Sequence, residues 1–498
     1  MIPRYGSRII KLLPLLFFLL LLTFGGIQAP LFDEDEGFYA EAARVMLEDG
    51  NWFEISVNGE IRSDKPPFIV WLIALSFKIF GFHPWAARVP SLLCTLGTLF
   101  ILWKWSKKRH EPIYLFGGTL LTWIISKAAI ADAALNLSII GSLYFLWSYA
   151  NSQSRQYFYL AVILSAFGFL TKGPIAILIP GFVWLIFWLV QKPSVWLVRP
   201  LGILLWFLLI SPWFIGVYLE NGGNFKVFAD HVLIHNIGRF QNPMERHQGP
   251  WFYFILIFLV ATLPLLSFYI SIFRQLWEDK SKPLAFLQWT WFGFVMVFFS
   301  FSQTKLPHYI VPALLPLMIN PPTFQKLPSW PTWIWLLTCS LLPFVAYQIK
   351  DDLNDPYIEV LFSHIFDEFS WPYYLILMAL AIVLVRSHFL RSNNLIISAF
   401  IGIILYTLLF WHWSQLQQQP LQRLSKKLPI DQVIYVKHHY FPSFSFYRKK
   451  ISPIRNPSPN DWILGKYADV KEYDLQPKYE DHGIYLGKVK QIKRAPIR

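Results

Sequence analysis

Hydrophobic and polar positions alternate along this chain in blocks, with long apolar runs separated by short charged or Pro/Gly-rich stretches. A helix needs about 20 mostly apolar residues to cross the hydrocarbon core of a bilayer. Thirteen runs approach that length, which predicts an all-α polytopic membrane protein. The predicted spans are 9–27, 86–104, 113–127, 130–150, 157–171, 174–191, 200–219, 251–273, 284–302, 308–320, 330–348, 371–386 and 394–413.

One further apolar run, 68–82, decides the orientation of everything after it. The run is short and carries Lys78, so we interpret it as an interfacial helix at the outer surface. Basic clusters such as 104–109 and 274–282 then fall on the cytoplasmic side, as the positive-inside rule requires. The odd number of spans places four segments outside: 28–85, 220–250, 348–370 and the tail from 415.

The tail differs in pattern from the rest of the chain. Short alternating runs such as 433–436 and 484–486 lie between Pro, Asn and Gly, which is typical of strands. We therefore predict two domains, a transmembrane domain over 1–414 and a small extracytoplasmic α/β domain over 415–498. The expected location is the plasma (inner) membrane, with multiple spans and with the C-terminus and active site outside.

Composition supports a membrane protein and argues against nucleic acid as a partner. The chain is 55% hydrophobic with a net charge of +14, and such a basic excess in a membrane protein fits cytoplasmic loops and lipid headgroups. Its two cysteines, Cys94 and Cys339, lie inside apolar runs, so neither a disulfide framework nor a cysteine metal site is predicted. Membrane lipids are the expected surroundings.

The first outer loop opens on four consecutive acids, Asp33 to Glu36, and contains ten of the chain's thirty acids before residue 65. Apolar residues from Tyr39 to Leu47 follow at helical spacing, which predicts an interfacial helix that ends at Gly50. Asp33 and Glu36 have the spacing of a capping box. That interpretation leaves Asp35 without a structural task, although Asp33 remains an alternative functional acid.

A second acid, Asp132, lies at the outer end of the predicted fourth span among small and apolar residues. An acid at the membrane edge is costly and by default indicates a functional site. The alternative is that Asp132 only pairs with Lys127, a turn and a half away. We favour the functional interpretation.

Three lysines, Lys65, Lys172 and Lys305, recur on the predicted outer side, and His308 follows the third. Each alone could be an interfacial anchor. Together, opposite the acids, they indicate a phosphate site that faces a carboxylate site.

The loop 220–250 adds three candidate residues for substrate binding, His235, Arg239 and His247. His231 and His235 are four residues apart and could share a metal, but the glutamate of a metalloprotease helix is absent between them. We interpret the loop as an anion-binding lid, and a plain surface loop is the alternative.

Taken together, these residues resemble the polyprenyl-phosphate-sugar glycosyltransferases of the membrane-embedded C superfamily, which includes protein O-mannosyltransferases and aminoarabinose transferases that act on lipid A (glycosyltransferase families 39 and 83). The resemblance covers nearly the whole chain. Besides Asp132 and Arg239, the motifs that carry it are Asp35-Glu36-Gly37-Phe38-Tyr39-Ala40, Lys65-Pro66-Pro67, Ala87-Arg88-Val89-Pro90-Ser91, Leu170-Thr171-Lys172-Gly173-Pro174, Ser302-Gln303-Thr304-Lys305-Leu306-Pro307-His308-Tyr309 and Pro442-Ser443-Phe444-Ser445-Phe446-Tyr447.

The resemblance implies inverting transfer of a sugar from a polyprenyl-phosphate donor to a lipid, glycan or protein acceptor on the outer face. It implies that Asp35, with Glu36, is the general base and that Asp132 holds the acceptor, a divalent metal ion, or both. It further implies that the donor phosphate is bound by five cationic side chains: Lys65, Lys172, Arg239, Lys305 and His308. Tyr39, His235 and His247 are expected beside the substrate.

Two other functions remain open on the residues alone. A ligase or polymerase that uses a polyprenyl-diphosphate oligosaccharide would suit a loop rich in His and Arg, but it would leave the Asp35-Glu36 opening unexplained. A transporter or flippase of an anionic lipid-linked sugar would more often place its site near the midplane between repeats. No cofactor is assigned, and a divalent metal at Asp35 and Asp132 is compatible with the residues without being required.

Overall fold

The structure is a computed structural model that describes residues 4–61, 65–224, 249–324, 327–389, 394–437 and 441–492. Helices dominate it. Before residue 225 they are α1 (Arg4–Phe24), α2 (Asp35–Asp49), α3 (Phe68–Phe80), α4 (Pro84–Trp105), α5 (Glu111–Gly117), α6 (Leu120–Lys127), α7 (Asp132–Ser152), α8 (Arg155–Lys172), α9 (Ile175–Gln191) and α10 (Pro200–Glu220).

The second half of the chain is helical as far as residue 425 and then mixed. Its helices are α11 (Tyr253–Thr262), α12 (Leu266–Glu278), α13 (Pro283–Phe301), α14 (Val311–Leu317), α15 (Trp330–Gln348), α16 (Pro356–Ser363), α17 (Ile365–Glu368), α18 (Trp371–Phe389), α19 (Asn394–Gln417), α20 (Gln419–Ser425), α21 (Pro442–Arg448) and α22 (Tyr467–Val470). Short 3₁₀ turns lie at Leu263–Leu265, Pro307–Ile310 and Lys350–Leu353.

The strands form two sheets. A two-stranded hairpin of β1 (Ser56–Val57) and β2 (Glu60–Ile61) lies in the first loop. The C-terminal segment, 415–492, contains β3 (Ile434–Val436), β4 (Trp462–Lys466), β5 (Tyr473–Asp481) and β6 (Ile484–Ile492), in the order β3-β4-β6-β5. Strands β3 and β4 are parallel and the other pairs are antiparallel. The division of the chain into two domains at residue 415 stays a prediction.

The described ranges contain seven helices that are long and apolar enough to cross a membrane, or eight if the bent pair at 356–368 and 371–387 counts as one span. The chain is therefore a multi-pass membrane protein, but the thirteen predicted spans are not confirmed. At 1.5 Å per residue, the 13 residues of α3 extend only about 20 Å, which is less than the ~30 Å hydrocarbon core. Its interfacial position, like the outer placement of the tail, stays a prediction.

Two predicted spans are broken into helices that are too short to cross a membrane, and the sequence explains why. The run 113–127 is divided into α5 and α6 at Gly117 and Gly118, since glycine is unfavourable inside a helix. The run 308–320 becomes a 3₁₀ turn followed by the short helix α14, because proline cannot donate a helical hydrogen bond. The expectation of one continuous helix was wrong at both places.

Helices α7 and α8 form an antiparallel hairpin that determines where the site lies. They approach closely because their facing residues are small: a Cβ on Gly168 would lie 2.0 Å from the hydroxyl oxygen of Ser138. Ser138 donates to the carbonyl of Leu164 across the pair at 2.6 Å. Since the two helices have similar lengths, the first residue of α7 and the last residue of α8 meet at the same end.

Candidate active site

Helix α2 begins at Asp35, and the predicted capping box between Asp33 and Glu36 is not formed. The N-cap residue is Glu34, whose side chain makes no capping hydrogen bond. The other end is as predicted: Gly50 ends the helix in the left-handed region at a φ of 71°, where glycine is favoured. The capping prediction was wrong because both acids bond to groups far away in the sequence.

Glu36 forms a buried ion pair with Arg88 of α4. The Arg88 nitrogens Nε and Nη2 lie 2.8 and 2.6 Å from the two carboxylate oxygens, and Arg88 also donates to three carbonyls between Ile27 and Pro30. Glu36 is 3% exposed and accepts a further bond from the amide of Ala129. Because both oxygens are occupied, we revise the expectation for Glu36: it positions the loop rather than reacting with substrate.

We expect Arg88→Met to destabilise the protein by about 3–5 kcal/mol, because it leaves the Glu36 carboxylate buried without its partner. The measurement is the temperature at which half of the purified protein in detergent stays soluble. Lys282→Met is the matched control, since its partner Asp279 lies at the surface and Lys282 is itself exposed. Equal losses in the two variants would contradict the role assigned to Arg88.

The Asp33 carboxylate accepts hydrogen bonds from Ser443 of the C-terminal segment. Its two carboxylate oxygens accept from the backbone N–H and the hydroxyl of Ser443, at 2.9 and 2.6 Å. Burial raises the pKa of Asp33 to about 7, while the hydrogen bonds from Ser443 act in the opposite direction. A pKa near 7 would suit a general base, but a carboxylate whose oxygens are both already acceptors is poorly placed to take a proton from substrate.

Asp132 is the first residue of α7 and pairs with Lys172, the last residue of α8. The Lys172 ammonium lies 2.7 Å from Asp132 Oδ1, and Asp132 is 5% exposed. An acid at a helix N-terminus and a base at a C-terminus are each favoured by the helix dipole. The alternative pairing with Lys127 is wrong, because the Lys127 ammonium donates to the carbonyl of Leu22.

His308 reaches the same acid from the 3₁₀ turn before α14. Its Nε2 lies 3.7 Å from Asp132 Oδ2, and its side chain is 19% exposed. The Lys172 ammonium also lies over the ring of the neighbouring Tyr309, 5.1 Å from its centre. Asp132 thus holds a lysine and a histidine from two other elements.

Asp35 and Lys65 lie close enough to this cluster to interact with it electrostatically, Asp35 with His308 and Lys65 with Asp132. Asp35 is exposed, and its carboxylate makes no hydrogen bond or ion pair within the described ranges. The Lys65 ammonium lies 5.2 Å from the centre of the Tyr39 ring, so Tyr39 supports a cation of the site. The structure therefore brings six of the predicted residues into one region: Asp35, Tyr39, Lys65, Asp132, Lys172 and His308.

Lys305 is also a predicted site residue, but its ammonium binds backbone carbonyls close to it in the sequence. Its ammonium donates to the carbonyls of Ser300 and Ser302, at 2.8 and 2.6 Å, and so completes the C-terminal end of α13. Its predicted contact with a donor phosphate stays a prediction. The predicted loop residues His235, Arg239 and His247, and the pair partner His231, lie outside the described residues.

The arrangement does not fit a divalent ion held between Asp35 and Asp132. Asp132 is already neutralised by Lys172 and faces His308. Over the ranges that the structure describes, no three His, Cys, Asp or Glu side chains form a group suited to a metal. We therefore derive no step through a metal.

Sequence reasoning missed the roles of Arg88, Ser443 and Tyr447. Arg88 carried a signal, because a lone arginine in an apolar run needs a buried partner. Ser443 and Tyr447 lie in the motif Pro442–Tyr447, whose only signal in the sequence is the family resemblance. Tyr447 accepts a hydrogen bond from the amide of Leu31 at 2.7 Å, a contact that spans 416 residues.

The fold matches that of a protein whose structure has been solved. The chain superposes on the crystal structure of ArnT from Cupriavidus metallidurans bound to undecaprenyl phosphate with a TM-score of 0.73, at 20% identity, over 96% of this chain and 97% of that one. The apo structure of the same protein gives a TM-score of 0.73 as well. At this identity the likeness shows the fold alone.

Sequence comparison agrees with the fold. The family model described as dolichyl-phosphate-mannose-protein mannosyltransferase matches residues 64–215. The undecaprenyl phosphate-alpha-4-amino-4-deoxy-L-arabinose arabinosyl transferase of Aeromonas hydrophila is 31% identical over 61% of this chain and 57% of that protein. An uncharacterised protein of Aquifex aeolicus is 30% identical over 61% of this chain and 69% of its own length.

Over the matched parts, the chain is therefore similar to glycosyltransferases that use a polyprenyl-phosphate sugar. The alignments span 57% and 56% of the length of the arabinosyl transferases from Aeromonas hydrophila and Pseudomonas aeruginosa.

Proposed function

We propose that this protein transfers a sugar, with inversion, from an undecaprenyl-phosphate-type donor to a hydroxyl or similar nucleophile of a lipid, glycan or protein acceptor outside the inner membrane. The observation that carries the proposal is the opposition of an exposed carboxylate, Asp35, to cations around Asp132. The donor class is supported by the names of the arabinosyl transferases, which specify an undecaprenyl-phosphate sugar.

In the proposed reaction, the acceptor oxygen attacks the anomeric carbon and gives its proton to the Asp35 carboxylate. The bond between the anomeric carbon and the phosphate oxygen breaks, and its electron pair leaves with polyprenyl phosphate. Asp35 suits the task of general base, because its carboxylate is exposed at the start of α2 and is held by no hydrogen bond in the described ranges. Attack opposite the leaving group inverts the anomeric centre without a glycosyl-enzyme.

The departing phosphate gains negative charge, which the cations stabilise. Lys172 uses one ammonium hydrogen for Asp132 and has two more to donate. Lys65 lies over aromatic rings, 4.3 Å from the centre of Phe38, which helps to orient its ammonium. We therefore assign Lys65, Lys172 and His308, with Arg239, to the donor phosphate, and Asp132 to the orientation of Lys172 and His308.

Proteoliposomes loaded with one labelled polyprenyl-phosphate sugar test the activity. We expect the label to appear in a glycosidic product of opposite anomeric configuration when membrane acceptors are supplied. If intact donor crosses the bilayer and no glycoside forms, the protein is a transporter. If only a polyprenyl-diphosphate oligosaccharide is consumed, it is a ligase or polymerase.

Labelling of introduced cysteines tests whether the site and the tail lie outside. The two native cysteines are both buried, so they should not react with the label. Ser458→Cys, exposed in the C-terminal segment, should react with an impermeant maleimide in intact spheroplasts. Ser281→Cys, in the loop between α12 and α13, should react only after permeabilisation. The reverse pattern would place the site in the cytoplasm.

A further inference from the structure

Helix α21 of the C-terminal segment packs directly on the chain that leads into α2. Ser443, the second residue of α21, is fully buried and gives both of its donors to the carboxylate of Asp33. A charge-assisted pair of this kind is about twice as strong as a neutral hydrogen bond and fixes direction as well as distance. The link joins residues 410 positions apart.

The backbone before Asp35 is held at successive amides. The amide of Leu31 donates to the hydroxyl of Tyr447 at 2.7 Å, and the amide of Asp33 donates to the side-chain oxygen of Gln418 at 3.3 Å. The amide between them donates to Glu36 at 3.0 Å. Two of these three acceptors therefore belong to the C-terminal segment.

Gly37 shows how closely the two elements approach. A Cβ at this position would lie 2.1 Å from Asp33 Oδ1 and 2.6 Å from the backbone nitrogen of Ser443. Both distances are shorter than any normal contact, and the second atom is backbone, which cannot rotate away. Any side chain at 37 would therefore push α21 off the start of α2, two residues from Asp35.

We propose that Ser443 is a positioning residue for the transfer reaction and that it acts through Asp33 on the direction of the Asp35 carboxylate. The inference rests on the proposed function, because it assigns Ser443 to the base of that reaction. Asp35 makes no side-chain hydrogen bond in the described ranges, so its position depends on the backbone at the start of α2. The C-terminal segment, through α21, thus completes the active site without contacting substrate.

The test compares Ser443→Ala with Ser443→Thr in the purified full-length protein. We expect Ser443→Ala to lower kcat on the order of 10- to 100-fold, because misplacing a catalytic group by about 1 Å has that effect. The KM for the polyprenyl-phosphate sugar should change much less than kcat, since Lys172 and His308, which we assign to the phosphate, lie on other elements. Ser443→Thr keeps the hydroxyl and should restore most of kcat.

Ser445→Ala is the matched control. Ser445 lies on the same helix, is equally buried and donates to Asn58 at 2.8 Å instead of to Asp33. It should lose similar stability while keeping its kcat. A second variant, Gly37→Ala, attacks the same contact from the side of α2 and should reproduce the loss of kcat.

Hydrogen exchange at amides 31–33 separates this inference from the proposed function. Exchange should accelerate in Ser443→Ala and stay at the wild-type rate in Ser445→Ala. An active wild type whose Ser443→Ala variant keeps its kcat, or loses no more than Ser445→Ala, would overturn the positioning role alone. A wild type inactive with polyprenyl-phosphate sugars would overturn the proposed function and the positioning role with it, even if exchange shows that the contact exists.

Discussion

Asp35→Asn is expected to lower kcat by about 10²- to 10⁴-fold, the usual contribution of a general base. The amide has nearly the same size and cannot accept the acceptor proton, while the fold should not change because Asp35 is exposed and unpaired within the described ranges. The measurement is the initial rate of sugar transfer at saturating donor and acceptor.

Two neighbouring acids make this result specific. Asp49→Asn, also exposed and at the last residue of α2, should keep the wild-type rate. Asp33→Asn should lose activity less than Asp35→Asn, since it keeps one oxygen to accept from Ser443. If Asp33→Asn abolishes transfer while Asp35→Asn retains it, the base is Asp33.

Asp132→Asn is expected to lower kcat/KM by about 10²- to 10³-fold, comparable to the loss of one oriented charge-stabilising group. The variant removes the charge that holds the Lys172 ammonium at 2.7 Å and His308 at 3.7 Å. The Lys172 ammonium and the His308 imidazole then lose the carboxylate that orients both, and they no longer converge on the donor phosphate. The kinetics should be measured with a series of donor concentrations.

A double-mutant cycle shows whether Asp132 acts through Lys172. Asp132→Asn and Lys172→Met should be strongly non-additive, because the two side chains are in contact. Asp132→Asn and Lys127→Met should be additive, because Lys127 bonds to the chain of α1 instead. Additivity in the first cycle would contradict the assignment of Asp132 as the residue that orients Lys172.

The sequence predicted those site residues that are unusual for their immediate neighbours in the chain. Asp132 was predicted as a site residue because a charge at a membrane edge is costly in free energy. Lys172 and His308 were predicted because basic side chains on the same side of the membrane as the acids indicate an anion-binding site. Helices α4, α7, α8, α9 and α10 have bounds within two residues of the predicted runs.

Contacts between distant parts of the chain could not be predicted. The capping box was inferred from three-residue spacing, but Glu36 found a stronger partner in Arg88, 52 residues away, and Asp33 found Ser443. Hydrophobic pattern also did not show where a run would break, because Gly117 and Gly118, where α5 ends, differ little from apolar residues in hydropathy. The tertiary contacts of Glu36 and Asp33, which replace the predicted capping box, lie beside the proposed active site.

The most direct measurement is the lipid product of purified protein given one labelled polyprenyl-phosphate sugar and total membrane lipid, identified by mass spectrometry. We expect one polyprenyl monophosphate to be released for each sugar transferred, with the rates of formation of both products reduced by the same factor in Asp35→Asn. Release of polyprenyl diphosphate, or recovery of the donor intact beside unglycosylated acceptors, would contradict the proposed transfer.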